Sequence, residues 1–530
     1  MLLTARVELT SDQILPRDIN LAEHLVYEKP ARGVGARLAL EIDDRRISYA
    51  ELTRDTQALA SVLERHGVES GDRVAIVLGD CETFALAFFA ILHLGAVAVP
   101  LNPSYAREDF DLLFARLEPK LAIVQEESHH KIAGTTRFPL LQASGNLQQP
   151  GEVETDLIAA RGTPAPAIVR DSDRVAYILH SSGTTGPPKS IPHRHEDIIH
   201  CIKAYAIAIL GMTADDRVLA VPKLTFGYGL GGNLLSSLYV GGCSILVRQL
   251  SSPDVMRDAA RRFRPTLFLA QPRTLVGVLQ LGDPDVFSEL RLAVSAGEVL
   301  APSLRQKWLD ATSVELLDGF GSTEVGHVFI SNVPGKVVPG SAGRVVPGFE
   351  VSIVDEAGEL VPPETPGQLL VRGPSLAACY YRDPERTADV FVDGWVRTGD
   401  VFRADRDGNH FALGRADDMI KVGCGEWVSP IELEMWLSTD PAVADCAVSA
   451  WQDADGILRV KAHVVLTNGL RPVSTITDRL TALVRRRAQE MTHKQLAAVD
   501  YVSALPRSAN GKLQRSRLGA VSMTEYSYSC

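Results

Sequence analysis

Three short apolar runs limit what this chain can fold into more than any other feature. RVAIVLG (73–79), AVAVPLN (96–102) and KLAIVQE (120–126) carry almost no charge along their middles. A strand with one wet face alternates polar and apolar residues. A continuous apolar run marks a strand covered on both faces, hence a parallel sheet wrapped by helices. The flanking stretches, such as YAELTRDTQALASVLERHG (49–67) and ETFALAFFAILHLG (82–95), repeat apolar residues at helical spacing. The same grammar returns between about 172 and 320 in RVAYILH, DRVLAVP, CSILV, PTLFLAQP, RLAVSAGE and VELLDGFGSTE. Polar, glycine-rich sequence follows several of these runs, where an open α/β sheet binds ligands outside the carboxyl ends of its strands.

After about Val333 the texture changes to short strands rich in Gly and Pro, with a hairpin predicted at DEAGE (355–359). A last unit begins near LGRADDMIKVG (413–423), with strands at CAVSAW and LRVKAHVVLT and a helix at about 475–490.

With 530 residues, 45% hydrophobic and 22% charged, the chain has room for about two to four domains of ordinary globular composition. Its net charge of −11 argues against a broad nucleic-acid or anionic-membrane face. Cysteines at 81, 201, 243, 379, 424, 446 and 530 form no C-x-x-C pair, which favours reduced thiols in a cytoplasmic protein. The N-terminal MLLTARVELTSDQ lacks the pattern of a secretory signal. In the most lipid-like segment, residues 84–102, His93, Gly95 and Pro100 divide a helix from a buried strand, so no membrane span is expected.

The stretch SSGTTGPPKS (181–190) reads, from Gly183, one residue away from a P-loop G-x-x-x-x-G-K-[ST]. Pro188 has no N–H, so as a P-loop this segment would lack a donor just before its lysine. Ser181, Ser182, Thr184 and Thr185 among glycines, followed by Lys189, can instead grip phosphate through hydroxyls, mobile amides and one cation. The competing reading is a plain Ser/Thr/Gly surface loop.

YILHSSGTTGPPKSIPHRH resembles the phosphate-loop signature of the adenylate-forming superfamily: acyl- and aryl-CoA ligases, carrier-loading adenylation domains and firefly-type luciferases. SAGE (295–298), DGFGSTE (318–324), RTGD (397–400), GRADDMIKVGCGEWVSPIELE (414–434) and NGK (510–512) follow in that family's order. Ser190 departs from the glycine usual at its position. The resemblance implies an α/β fold: a large N-terminal part, residues 1–416, made of two doubly wound αβ subdomains and a small β-barrel subdomain. A small mobile α+β C-terminal domain, 417–530, would follow, with Asp417 as the hinge.

It also implies ATP, Mg²⁺ and coenzyme A. A carboxylate attacks the α-phosphate to give an acyl-adenylate and pyrophosphate; a thiol then takes the acyl group, releasing AMP. By the resemblance, Ser181, Ser182, Gly183, Thr184, Thr185 and Lys189 hold phosphate. Gly297, Glu298, Asp318, Gly319, Phe320 and Gly321 surround adenine. Thr323 meets the α-phosphate and Glu324 takes the metal. Asp400 and Arg415 hold ribose or phosphate, and Lys512 is the adenylation lysine. Gly423, Cys424, Gly425 and Trp427 would wall the CoA tunnel. For Asp400 and Lys512 the plain alternatives are a turn residue and a solvated tail lysine.

PKLTFGYGLGGNLLSSLYVGG (222–242) and GSTEVGHVFISN (321–332) resemble the benzoate-CoA ligase branch. That likeness places Phe226, Tyr228, Gly229, Ala296, Gly297, His327 and Ile330 around a ring, with Lys421 at the carboxylate. Core packing is the alternative for Tyr228 and Ile330. Benzoate, aminobenzoate and hydroxybenzoate all stay open, as do monomer and homodimer. Competing functions are a stand-alone enzyme loading a carrier protein and, more remotely, a P-loop NTPase.

Overall fold

The computed structural model describes residues 18–134, 136–171, 173–181, 188–422, 427–452, 458–467, 469–489, 494–507 and 513–518, plus the backbone at 5–6, 519–520 and 527–529. The three apolar runs lie side by side as Leu121–Gln125, Arg73–Val77 and Val97–Pro100, all parallel. Leu140–Ala143 and Val175–Ser181 extend the sheet on either side, also in parallel. The central run is buried from Val74 to Val77, as a strand with helices on both faces must be. Helix Tyr49–Arg65 starts at a capping box, in which Ser48 and Glu51 satisfy each other's backbone N–H. Every residue of helix Glu82–His93 is buried, which accounts for its lipid-like sequence without a bilayer. No helix among the described residues is long and apolar enough to cross a membrane.

The second sheet has nine strands. Its middle is parallel: Leu316–Gly321, Leu292–Ala296, Leu267–Ala270, Arg217–Ala220, Cys243–Leu246 and Leu38–Ile42, in that spatial order. Antiparallel Val328–Ser331 and Arg344–Val345 finish one edge, and Arg45–Ser48 the other. A common hydrophobic core joins the two sheets, running from Leu40 and Val74 through Phe88 and Tyr177 to Val294 and Phe329.

A third sheet of six antiparallel strands includes Glu350–Val354, Gly367–Arg372, Trp395–Ala404 and His410–Arg415. The turn expected at 355–359 forms, with the Asp355 carboxylate accepting from the amides of Ala357 and Glu359. The arm returning from it is only an isolated bridge, Val354 to Leu360. Pro362, Pro363 and Pro366 follow and withhold ladder donors, so Glu350–Val354 pairs instead with Gly367–Arg372.

The last unit pairs Val443–Gln452, Leu458–Leu466, Leu496–Tyr501 and Ser527–Ser529, with helices Pro430–Leu437 and Ser474–Ala488. It has its own core, including Val428, Leu433, Val448, Val464, Leu480 and Tyr501.

Candidate active site

Strands Leu292–Ala296 and Leu316–Gly321 are parallel neighbours, and Ala296 lies beside Gly319 in their register. Their carboxyl ends therefore bring SAGE and DGFGSTE together. Asp318 is buried at this seam: its N–H donates to Asn332 Oδ1 (3.0 Å), and burial pushes its carboxyl up to about 8. A buried acid of this kind is ready to accept from an amino donor that enters beside it. Phe320 is half-buried, edge-on to Phe402 with ring centroids 4.8 Å apart. Gly297 has φ of +90°, a conformation open to glycine at little cost, and no atom sits closer than 4.0 Å to where its Cβ would be.

Ser181 and Lys189 are register partners on antiparallel strands Val175–Ser181 and Lys189–Arg194, so the two ends of the expected phosphate-binding segment lie side by side. Ser182, Gly183, Thr184 and Thr185 lie outside the described residues. Lys189 Nζ stands 3.2 Å from Tyr380 Oη, and Tyr380 donates to Glu324 Oε1 at 2.8 Å. Thr323 is held through its carbonyl, which accepts from buried His193 Nε2 at 2.7 Å. Asp400 and Arg415 are register partners on neighbouring strands, with Oδ2 and Nη1 3.2 Å apart.

The carboxyl-terminal lysine, Lys512, lies outside the described residues, but its flanks do not. Arg507 and Leu513 form an antiparallel bridge. Arg507 reaches across to Glu298, Nη1 to Oε1 3.1 Å, while its Nη2 holds Asp445 at 3.0 Å. Glu298 thus serves an ion pair with the last unit at the edge of the expected adenine wall. Asp417 is exposed on the turn Ala416–Asp418, and its neighbour Asp418 faces Arg515 at 3.7 Å.

The expected ring pocket lies among two widened helical turns and one histidine. His327 is buried, and among the described residues its Nε2 has no hydrogen-bond partner. Burial lowers its pKa to about 4, so the imidazole is neutral near pH 7 and one of its ring nitrogens offers a lone pair. The ring lies 5.4 Å from that of Tyr205, on π-helical Ile202–Ile207, and 5.9 Å from that of Tyr228. Π-helical Leu230–Leu235 supplies Gly231, where a Cβ would come within 2.6 Å of His327 Cδ2. Tyr205, Tyr228, Gly232, Leu269 and His327 line a small cavity here.

The other expected pocket residues, and the remaining contacts of Tyr228, occupy several settings. Gly229 turns its Cβ side to the carbonyls of Lys223 and Pro222 (2.3 and 2.4 Å), so its lack of a side chain serves that turn. Ile330 is fully buried in the strand pair beside Phe320, as core. Phe226 is half-buried at the start of Gly227–Gly229, and Tyr228 donates to the Val294 carbonyl at 3.1 Å. Lys421 is exposed over the ring of Trp427, at 5.2 Å, rather than in the buried pocket. Gly423, Cys424 and Gly425 lie outside the described residues, and Trp427 is 46% exposed.

Sequence reading passed over Tyr380, Arg507, His193 and Tyr205. Tyr380 lies in the run ACYYRDPERT (378–387), and Arg507 just ahead of ANGK, but nothing in either stretch names a partner 191 or 209 residues away.

A family model described as "AMP-binding enzyme" matches residues 27–381, and "AMP-binding enzyme C-terminal domain" matches 432–512. The chain belongs to the AMP-binding enzyme family. Within that family it is 32% identical to the benzoate–CoA ligase of Thauera aromatica, over 95% of this chain and 96% of that protein. It is 33% identical to the 3-hydroxybenzoate–CoA ligase of Aromatoleum sp. (strain CIB), over 94% and 96%. The crystal structure of the anthranilate CoA ligase AuaEII with anthranoyl-AMP superposes with a TM-score of 0.90 at 31% identity, covering 97% of this chain and 98% of that one. A benzoate CoA ligase from Burkholderia xenovorans LB400 gives 0.86 at 29%, over 94% and 99%.

Proposed function

We propose that this chain is an ATP-dependent, AMP-forming ligase that activates a benzoate-type acid and passes the acyl group to coenzyme A. One observation carries the reading. The nucleotide-facing residues Asp318 to Glu324 and the ring-facing His327 belong to a single strand–loop–strand, with Gly319 paired to Ser331 and Phe320 to Ile330. A flat acid seated at His327 therefore has its carboxylate directed along the same loop that meets the nucleotide. The aryl-acid names of the relatives point the same way.

In this reading Asp318 accepts from the adenine amino group, Asp400 holds the ribose hydroxyls and Lys189 neutralises phosphate. Thr323 donates to the α-phosphate, and Lys512 screens the charge shared by incoming carboxylate and α-phosphate. Glu324 fits a magnesium site: it is a half-buried hard oxygen donor beside a phosphate lysine, and Mg²⁺ is commonly held by one or two carboxylates plus substrate phosphates. Held by Glu324, magnesium would supply Lewis-acid charge at the phosphates. The small domain then turns about Asp417, withdrawing Lys512 and bringing the 423–427 segment inward, with free CoA rather than a carrier protein as acceptor.

The test is pyrophosphate release across benzoate, anthranilate, salicylate, 4-hydroxybenzoate, cinnamate and octanoate. Fastest turnover within the benzoate class is expected. Fastest turnover with octanoate overturns the aryl assignment.

A further inference from the structure

We propose that Tyr380 is a positioning residue for the metal–pyrophosphate end of the site, its phenol keeping the Lys189 ammonium and the Glu324 carboxylate apart. The inference rests on the ligase reading above and assigns a residue that reading leaves without a task.

A phenol has one donor and can also accept. Both capacities are used: Oη donates to Glu324 Oε1 at 2.8 Å and accepts from Lys189 Nζ at 3.2 Å. The same ammonium lies 4.9 Å from the phenol ring's centroid, so the ring face also contributes to holding it. Tyr380 is itself fixed. It is 2% exposed, its amide donates to Thr387 Oγ1 at 3.0 Å, and its ring packs edge-on to Phe391 at 5.2 Å. The neighbouring Tyr381 amide donates to the Ser190 carbonyl at 2.8 Å, tying this segment to the strand that carries Lys189.

The consequence follows from charge. Removing the hydroxyl lets the ammonium and the carboxylate close into a direct ion pair, the strongest contact open to either in a half-buried site. That pair neutralises both groups that nucleotide and magnesium need. Breaking it on every binding event costs affinity for the metal-bound nucleotide specifically. With the phenol in place, each charge has a weaker neutral partner that it can leave when phosphate and metal arrive.

The test compares wild type, Tyr380→Phe and Tyr381→Phe by calorimetric titration with ATP, without acid, at stepped Mg²⁺ concentrations. Y380F is expected to weaken ATP binding at saturating Mg²⁺ by about tenfold and to raise the Mg²⁺ concentration at half-effect. Y381F should match wild type, and the melting temperature of unliganded Y380F should stay within about 2 °C of wild type. Thioester formation from supplied benzoyl-AMP, which uses neither pyrophosphate nor its metal, should change by less than about threefold. Y380F with wild-type ATP affinity and Mg²⁺ dependence overturns the proposal. So does an equal loss in both half-reactions with a lowered melting temperature, which marks a packing role. Wild-type protein that binds MgATP but never activates an aryl acid overturns the ligase reading instead.

Discussion

Arg507 spans two folding units: one arm of its guanidinium holds Glu298 at 3.1 Å, just past strand Leu292–Ala296, and the other holds Asp445 at 3.0 Å, on the small unit's sheet. Arg507 and Leu513 bracket the segment that ends in Lys512. The ion pair therefore favours the arrangement that keeps Arg507, the near flank of the Lys512 segment, beside Glu298. Arg507→Ala should slow adenylate formation about fivefold while leaving thioester formation from supplied acyl-adenylate unchanged or faster. Single-turnover measurement of each half-reaction checks it.

Lys512→Ala should lower adenylate formation on the order of 100-fold or more, because a cation aimed at developing charge is a large electrostatic contribution. Thioester formation should suffer far less. Equal losses in both steps would contradict the role.

Asp318 gives a proton signature. Its folded-state carboxyl titrates near 8, against 3.8 in the unfolded chain. The folded protein therefore holds that proton between these values, and stability falls as pH rises through the window. An amino donor at the carboxylate favours the ionised form, so ATP binding at pH 7 should release part of a proton. Calorimetry in buffers of different ionisation enthalpy measures it, and Asp318→Asn should abolish the release while keeping an acceptor oxygen.

His327 should read ring substituents. Its pKa near 4 leaves a neutral acceptor above about pH 5, and its contribution to stability is lost as pH falls from about 6.5 towards 4. His327→Ala should reduce kcat/KM about tenfold for whichever amino- or hydroxybenzoate is preferred, and less for benzoate. Equal losses across the ring series would make the imidazole a packing residue.

How far the sequence was legible depended on range. Uninterrupted apolar runs identified Arg73–Val77, Val97–Pro100 and Leu121–Gln125 as parallel strands because burial on both faces leaves a composition mark. The antiparallel strands Lys189–Arg194 and Val328–Ser331 passed unread, since IPHRH and VFIS carry no such period. The π-helical turns at Ile202–Ile207 and Leu230–Leu235 leave no periodic trace either, though together they set the distance of Tyr205 and Gly231 from His327. Asp318, Glu324, Asp400 and Arg415 were named as site residues through resemblance alone. Tyr380 and Arg507 were not, because their partners are set by tertiary contact alone.

In the proposed reaction a carboxylate oxygen of the acid attacks the α-phosphate of ATP. The most direct test of that step is turnover of benzoate labelled with ¹⁸O at both carboxylate oxygens, with MgATP and CoA, followed by mass spectrometry of the products. One ¹⁸O in AMP and the other in the thioester carbonyl is the predicted result. ADP or inorganic phosphate as the nucleotide-derived product, or AMP free of label, would contradict it.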